Sequence, residues 1–71
     1  MPLTVVEAGK KVRIISVMGN HGIQGRLAAM GMIPGTEIEV LRKTNHGPLI
    51  IDVKGSRLML GHSTALSVMV S

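Results

Sequence analysis

The stretch LAAMGMIPGTEIEVL, residues 27–41, decides how this chain folds, because it leads from the end of a predicted helix into a predicted strand. Gly31 is placed to end the helix in the left-handed conformation, which glycine adopts without steric cost. Pro34 and Gly35 suit the two central positions of a type II turn. Residues 37–40 then alternate polar and apolar side chains, which indicates a half-buried strand.

The segment before this turn is predicted to form a short helix of about two turns over residues 23–30. Ile23, Leu27 and Met30 fall at positions i, i+4 and i+7 and therefore share one helical face. We expect all three side chains to pack into the core. Asn20 is placed to cap the helix N-terminus.

Strands account for most of the remaining chain, and tight turns separate them. Five short strands in 71 residues predict a small β-barrel in a single domain, residues 1–71, since closure removes the exposed edges of a sheet. Lys54-Gly55 is predicted to be the two-residue turn of a hairpin. We expect the helix to lie across one open end of the barrel. The predicted strands are residues 12–18, 37–40, 49–53, 57–60 and 67–70.

The composition excludes several classes of binding site. The chain has no cysteine and no aromatic residue, so it offers no disulfide, no thiolate metal site and no aromatic platform for proline-rich peptides or unpaired bases. The net charge is +4, from eight basic and four acidic residues, and the basic residues are dispersed. This dispersion favours a solvated surface over a nucleic-acid footprint. The functional alternative is attraction to an acidic partner or to anionic lipid.

The sequence shows no targeting segment and no membrane-spanning segment. It lacks the basic region followed by an apolar run that marks a signal peptide. The longest apolar stretch, residues 27–34, is short compared with the roughly 20 residues that cross a bilayer. We therefore expect a cytoplasmic protein that reaches a membrane only through a partner.

The residues that could carry metal or catalytic chemistry are scattered. His21, His46 and His62 each lie beside glycine in predicted loops, without the i, i+3 or i+4 spacing of a helical metal site. A transition metal needs three or four ligands converging at about 2 Å. No serine has a Gly-x-Ser-x-Gly setting, and the glycine-rich segment 19–25 lacks the Lys-Ser/Thr of a phosphate-binding loop. We therefore predict no metal ligand, no cofactor site and no enzymatic activity.

Hydrophobic residues outside the predicted core indicate a partner-binding surface. Met32 and Ile33 lie in the turn, and Ile50 and Met59 point away from the inward faces of their strands. We expect Met32, Ile50 and Met59 to form an exposed apolar patch, with Ile33 beside it. The structural alternative is that the helix folds over this patch and covers it.

Two arginines are the polar candidates for the same surface. Arg26 lies off the apolar face of the predicted helix and is expected to be exposed. Arg57 either pairs with Asp52 across the predicted hairpin or contacts the partner. An exposed ion pair would contribute only about 0–1 kcal/mol.

A set of motifs runs in a fixed order between about Val5 and Val70: Leu-x-x-Met-Gly-Met, x-Pro-Gly-Thr-x-Ile-x-Val, a Gly-Pro hairpin, Ile-x-Val-Lys-Gly, Arg-x-x-Leu-Gly and Ala-x-x-Val-x-Val. This order resembles the small ferrous iron transport protein A family, FeoA, of bacteria and archaea. The resemblance implies an SH3-like barrel with an inserted helix. Most of the matching residues form turns or packing contacts, and they are Leu27, Gly31, Pro34, Gly35, Gly47, Pro48, Gly55, Arg57, Leu60, Gly61 and Ala65.

The resemblance also implies a function. It implies an accessory protein, not an enzyme, that binds FeoB, the membrane protein with a cytoplasmic GTP-binding domain that carries Fe²⁺ across the membrane. Such an accessory would be recruited to the inner face of the membrane through FeoB. Two alternatives stay open: a basic SH3-like nucleic-acid-binding module, given the isoelectric point of about 10.4, and an Fe²⁺-binding sensor or chaperone. Weak self-association through the apolar patch also stays open.

Overall fold

The computed structural model describes residues 1–71 and is built mainly from five antiparallel strands. Two α-helices, α1 (His21–Ala29) and α2 (His62–Leu66), and a 3-10 turn at Leu3–Val5 complete the chain. The strands are β1 (Lys11–Val17), β2 (Glu37–Lys43), β3 (Leu49–Val53), β4 (Ser56–Leu60) and β5 (Val68–Val70). They form one sheet in the order β4-β3-β2-β1-β5, so β4 and β5 lie at its two ends. The predicted fold class, mainly β with one short inserted helix, is confirmed.

One hydrophobic core holds the sheet and the helices together. Residues of β3 alternate between buried and half-buried along the whole strand, because one of its faces lies on the core. The two α-helices contribute one buried side chain each, Leu27 from α1 and Ala65 from α2. The core residues are Leu3, Val6, Val12, Ile14, Leu27, Met32, Ile38, Val40, Leu49, Ile51, Val53, Leu60, Ala65, Val68 and Val70.

Asn20 sets the start of α1. Its Oδ1 accepts a hydrogen bond from the Ile23 N–H at 2.9 Å, which satisfies one of the amides that a helix N-terminus leaves without an intrahelical partner. The predicted cap is therefore confirmed. Because the cap is Asn20, the helix begins at His21, two residues before the predicted start.

Two backbone hydrogen bonds close the C-terminal end of α1. The Gly31 N–H donates to the Ala28 oxygen, and the Met32 N–H donates to the Leu27 oxygen, both at 2.9 Å. Gly31 has a φ of +89°. This is the Schellman motif, in which a left-handed residue after the C-cap turns the chain back so that the helix's last carbonyls are satisfied. The role predicted for Gly31 is confirmed.

This ending reverses the positions predicted for two methionines. Met32 is only 1% exposed and Met30 is 39% exposed, so the exposed position predicted for Met32 and the core position predicted for Met30 are both wrong. In a Schellman motif the residue after the left-handed glycine packs back on the last helical turn, which directs Met32 to the side of Leu27. Met30 is the C-cap residue, where the helical periodicity no longer applies.

The turn that follows is bonded to β1. The Thr36 N–H donates to the Ile33 oxygen at 3.1 Å, and Gly35 has a φ of +92°, as the predicted type II turn requires. The Gly35 N–H donates to the Ile14 oxygen at 2.7 Å. The Arg13 guanidinium donates to the Gly35 oxygen, also at 2.7 Å. These bonds fix the position from which β2 begins.

The hairpin between β3 and β4 has the predicted two-residue turn. Lys54 and Gly55 have φ values of +52° and +88°, so both lie in the left-handed region that a type I′ turn needs. Asp52 Oδ1 accepts a hydrogen bond from the Gly55 N–H at 2.8 Å. Arg57 lies directly opposite Asp52 in the ladder, but the hydrogen bond of this carboxylate goes to the turn.

Candidate functional site

A groove of about 210 Å³ runs between α1 and β4. We call it the docking groove. Met59 on the outer face of β4 and Leu60 on its inner face both contribute, so the groove lies at the edge of the strand, at its C-terminal end, rather than on one of its faces. Its lining residues are Ile23, Arg26, Leu27, Met30, Met59, Leu60, Gly61 and Thr64, five of which are hydrophobic.

The rim of the docking groove is apolar and open to solvent. Met59 is 70% exposed and Met30 is 39% exposed, whereas Leu27 at the base is 2% exposed. Leu27 is the one fully buried side chain of α1, so the rest of the helix contributes a wall that is only partly packed. Methionine side chains are flexible and polarizable, and they adapt to the surface of a partner.

A second depression lies beside the groove on the outer face of the sheet. We call it the outer patch, and its lining residues are Leu41, Arg42, Ile50 and Arg57. Ile50 of β3 lies directly opposite Met59 of β4 in the ladder. Because side chains opposite each other on one face of a sheet are neighbours, the outer patch is continuous with the rim of the docking groove.

The structure brings four of the six predicted partner-binding residues into this continuous surface. Arg26 and Met59 line the docking groove, and Ile50 and Arg57 line the outer patch. Ile33 is 45% exposed in the turn, outside both depressions. Met32 is buried, so its place in an exposed patch is wrong.

Sequence reasoning missed part of the docking groove. The helical period predicts a core position for Met30, and no sequence pattern indicates a binding role for Leu60, Gly61 or Thr64. The signal that could have found them is topological: β4 is an end strand, so the helix that packs beside it faces a strand edge. The alternation of hydrophobic residues along the chain does not report which strand lies at the end of the sheet.

The charged residues that line the docking groove and the outer patch are all positive. Arg26 is the only charged residue that lines the docking groove, and Arg42 and Arg57 are the charged residues of the outer patch. The remaining polar side chain of the groove is the Thr64 hydroxyl. This arrangement provides no acid–base pair and no activated nucleophile, but it can bind an apolar surface that carries negative charge.

The largest cavity lies outside the docking groove and the outer patch, and its lining is less typical of a binding site. It has a volume of about 630 Å³ beside the β3–β4 hairpin, and Ile38 is its one hydrophobic lining residue. Lysine and carboxylate side chains line it together, namely Lys11, Glu37, Glu39, Asp52 and Lys54. Binding sites combine apolar anchors with a few convergent polar groups, and this cavity has almost no apolar anchor.

Two histidines meet in a way that the sequence did not predict. The ring centroids of His46 and His62 lie 5.7 Å apart with the rings tilted by 51°, in a depression that Lys43 also lines. No group of three or more histidine, cysteine, aspartate or glutamate side chains is arranged to hold a metal ion. His21 and His62 are the first residues of α1 and α2 and not loop residues as predicted.

The helices are short. No helix of the structure has both the length and the apolar run needed to cross a bilayer. α1 has nine residues and α2 has five, compared with about 20 for a transmembrane helix.

Comparison with known proteins identifies the family. The sequence matches the FeoA domain over residues 1–71. A Methanocaldococcus jannaschii protein, whose name proposes it as Fe(2+) transport protein A, is 35% identical over 69 residues, which cover 97% of this chain and 83% of that protein.

Two solved structures have the same fold over almost their whole length. The crystal structure of an iron uptake regulatory protein, FeoA, superposes with a TM-score of 0.92 at 37% identity and covers 99% of this chain and 93% of that one. FeoA from Stenotrophomonas maltophilia was crystallised with zinc and is described as an SH3 domain protein and a proposed activating factor for ferrous iron transport. It superposes with a TM-score of 0.87 at 28% identity, covering 100% and 89% of the two chains. The predicted SH3-like fold is confirmed, and this chain belongs to the FeoA family of ferrous iron transport proteins.

Proposed function

We propose that this protein is a cytoplasmic accessory of ferrous iron uptake that binds the FeoB-type membrane transporter and regulates it. The observation that carries the proposal is the docking groove, where Met30 and Met59 remain exposed around the buried Leu27. A contiguous apolar surface on so small a domain is typical of a protein-binding site. The groove and the outer patch together offer both an apolar anchor and positive charge.

The chemistry of the surface supports binding rather than reaction. Binding energy at protein interfaces is concentrated in a few buried anchors, with charged groups around them that steer and orient the partner. Met59 is the most exposed of the large hydrophobic residues, so it has the most apolar area to bury. Arg26 lines the groove together with Met59, and Arg57 lies two residues before Met59 on β4, so both favour an acidic partner surface.

The relatives support the assignment to transport. The name of the M. jannaschii protein places it in Fe(2+) transport, and the S. maltophilia protein is described as a proposed activating factor for that process. An activating factor needs a surface that contacts the transport machinery. The docking groove is the surface of this chain that suits such a contact best.

The test is binding of the purified domain to its cognate FeoB in lipid nanodiscs, with matched methionine variants. Met59→Asp places a charge on the apolar rim, and we expect it to weaken binding at least about 30-fold, the effect of losing about 2 kcal/mol at a hot spot. Met18→Asp is the control, since Met18 is also largely exposed, at 55%, but does not line the groove. Equal binding by both variants would contradict the proposed site.

Two further arms of the same experiment test the function itself. Binding measured with and without GTP tests regulation, since a regulator of the transport cycle should distinguish the nucleotide states. Binding to duplex DNA at several salt concentrations tests the nucleic-acid alternative, which requires a steep fall of affinity with salt. No binding to a folded, GTP-competent FeoB would overturn the proposed function.

A further inference from the structure

The edge of β4 that faces away from β3 has unpaired backbone groups. β4 pairs only with β3. In a hairpin with a two-residue turn, the residues that flank the turn exchange hydrogen bonds, and every second pair along the ladder does the same. Val53–Ser56, Ile51–Leu58 and Leu49–Leu60 are therefore the bonded pairs. The N–H and C=O groups of Arg57 and Met59 point away from β3, and they make no backbone hydrogen bond outside the sheet.

The docking groove lies at the C-terminal end of this same edge, where Met59 and Leu60 of β4 line it. One wall is β4 and the other is α1, with Ile23, Arg26 and Met30 facing the strand across the groove. Met59 is 70% exposed, so the helix does not cover this part of the strand edge. An edge strand with a helix beside it is the arrangement in which several recognition domains bind an extended peptide as an additional strand.

The charge along this edge indicates what the added strand would carry. Arg26 lies in the groove and Arg57 lies on β4, whereas Lys54, in the turn that begins the strand, shares a cavity with Glu37, Glu39 and Asp52. No acidic residue lines the groove or the outer patch. An extended segment with alternating apolar and acidic residues would place apolar side chains against Leu27 and Met30 and its carboxylates near the basic groups, because side chains alternate along a strand.

We propose that β4 binds an extended acidic segment of the transporter by strand addition, with the Arg57 and Met59 backbone groups forming the new ladder. This inference rests on the proposed function, since it names the way in which the transporter is held. The backbone supplies affinity, and the groove selects the apolar residues of the segment.

Hydrogen exchange at single-residue resolution tests the new ladder directly. In the free domain the amides of Arg57 and Met59 should exchange quickly. Those of Ser56 and Leu58 should exchange slowly, because, of these four N–H groups, only theirs donate hydrogen bonds to β3. Addition of FeoB in nanodiscs should slow exchange at Arg57 and Met59 at least about 10-fold. If FeoB binds and these two amides stay fast, strand addition is wrong while the proposed function stands. If FeoB does not bind, both fail.

A pair of variants at one position tests the same bond by affinity. Met59→Ala removes the side chain and keeps the N–H, whereas Met59→Pro removes both. Proline is tolerated in edge strands where the N–H faces solvent, and slow exchange at Ile51 and Leu58 would verify that Met59→Pro is folded. We expect Met59→Pro to bind FeoB at least about 10-fold more weakly than Met59→Ala, since it lacks the donor of the new ladder. Equal affinities would contradict strand addition.

Discussion

The two end strands of the sheet, β5 and β4, differ in whether another segment of the chain pairs with their outer edges. At the β5 end the N-terminal segment lies alongside the strand: the Val70 N–H donates to the Met1 oxygen at 2.8 Å, and Pro2 forms a bridge with Met69. At the β4 end no segment of the chain pairs with the outer edge of the strand. We call these the covered edge and the open edge.

This difference indicates that the open edge is available to bind a partner. Unpaired strand edges promote aggregation, and proteins protect them by covering them or by placing charged residues on them. This chain covers one edge with its own N-terminal residues. The other edge has Arg57 and Lys54 for protection and a helix that leaves a groove beside it. Positive charge repels a second copy of the same strand but attracts an acidic one, so the protection against self-pairing is also a basis for partner choice.

The largest effect on stability is expected at Met32, directly after α1, the helix beside the open edge. Met32→Ala should lower the free energy of unfolding by about 2–5 kcal/mol, because a fully buried side chain would leave a cavity under the helix. Met30→Ala, which changes an exposed methionine two residues away, should cost less than about 1 kcal/mol. Urea unfolding of both variants measures the difference. A larger loss for Met30→Ala would mean that the two positions are assigned the wrong way round.

The covered edge is tested by removing its cover. Deletion of Met1 and Pro2 removes the hydrogen bonds that these residues make with β5. We expect a loss of about 1–3 kcal/mol, from about two net hydrogen bonds at 0.5–1.5 kcal/mol each. The truncated domain should also associate with itself, since it now exposes an unprotected strand edge without added charge.

Sedimentation of the truncated domain, compared with the full chain at the same concentration, measures this association. The matched control is Met18→Ala, which changes an exposed residue and leaves both edges as they are. A truncated domain that stays monomeric at high concentration would show that Met1 and Pro2 do not protect the β5 edge from self-association. It would contradict the proposed difference between the covered edge and the open edge.

Much of the fold could be predicted because it depends on local chemistry. Asn20 as a cap, Gly31 as the left-handed residue and Lys54-Gly55 as a hairpin turn are each set by interactions within a few residues, so the sequence alone specifies them. The alternation of β2 and β3 is also local. These elements are sufficient to define five strands and a helix.

The binding surface was less predictable because it depends on where distant elements meet. The helical period placed Met30 in the core, but the Schellman motif ends the helix there and gives the core position to Met32. The pairing of Ile50 with Met59 followed from the hairpin, whereas their continuity with Arg26 required knowing that α1 packs beside β4. The meeting of His46 with His62 likewise depends on tertiary contacts between segments 16 residues apart.

A smaller effect on stability is expected at Asn20, which caps the start of α1, the helix beside the open edge. Asn20→Ala should destabilise the domain by about 1 kcal/mol, since the Ile23 N–H loses its acceptor. Asn20→Asp should retain most of the stability, because a carboxylate oxygen can accept the same hydrogen bond and is favoured near a helix N-terminus. Thermal unfolding of the two variants separates loss of the cap from loss of side-chain contacts. If Asn20→Asp is as unstable as Asn20→Ala, the cap is not the source of the stability.

The smallest effect on stability is expected at Arg57, on the open edge itself. Asp52 Oδ1 is engaged by the Gly55 N–H at 2.8 Å, so Arg57→Gln should change the free energy of unfolding by less than about 0.5 kcal/mol. Asp52→Ala should cost about 1 kcal/mol through the loss of the turn hydrogen bond. If Arg57 instead binds the acidic partner, Arg57→Gln should slow association with FeoB and reduce its dependence on salt. A double-mutant cycle between Asp52 and Arg57 decides between the two roles, because a coupling energy above about 1 kcal/mol would assign Arg57 to the hairpin rather than to the partner.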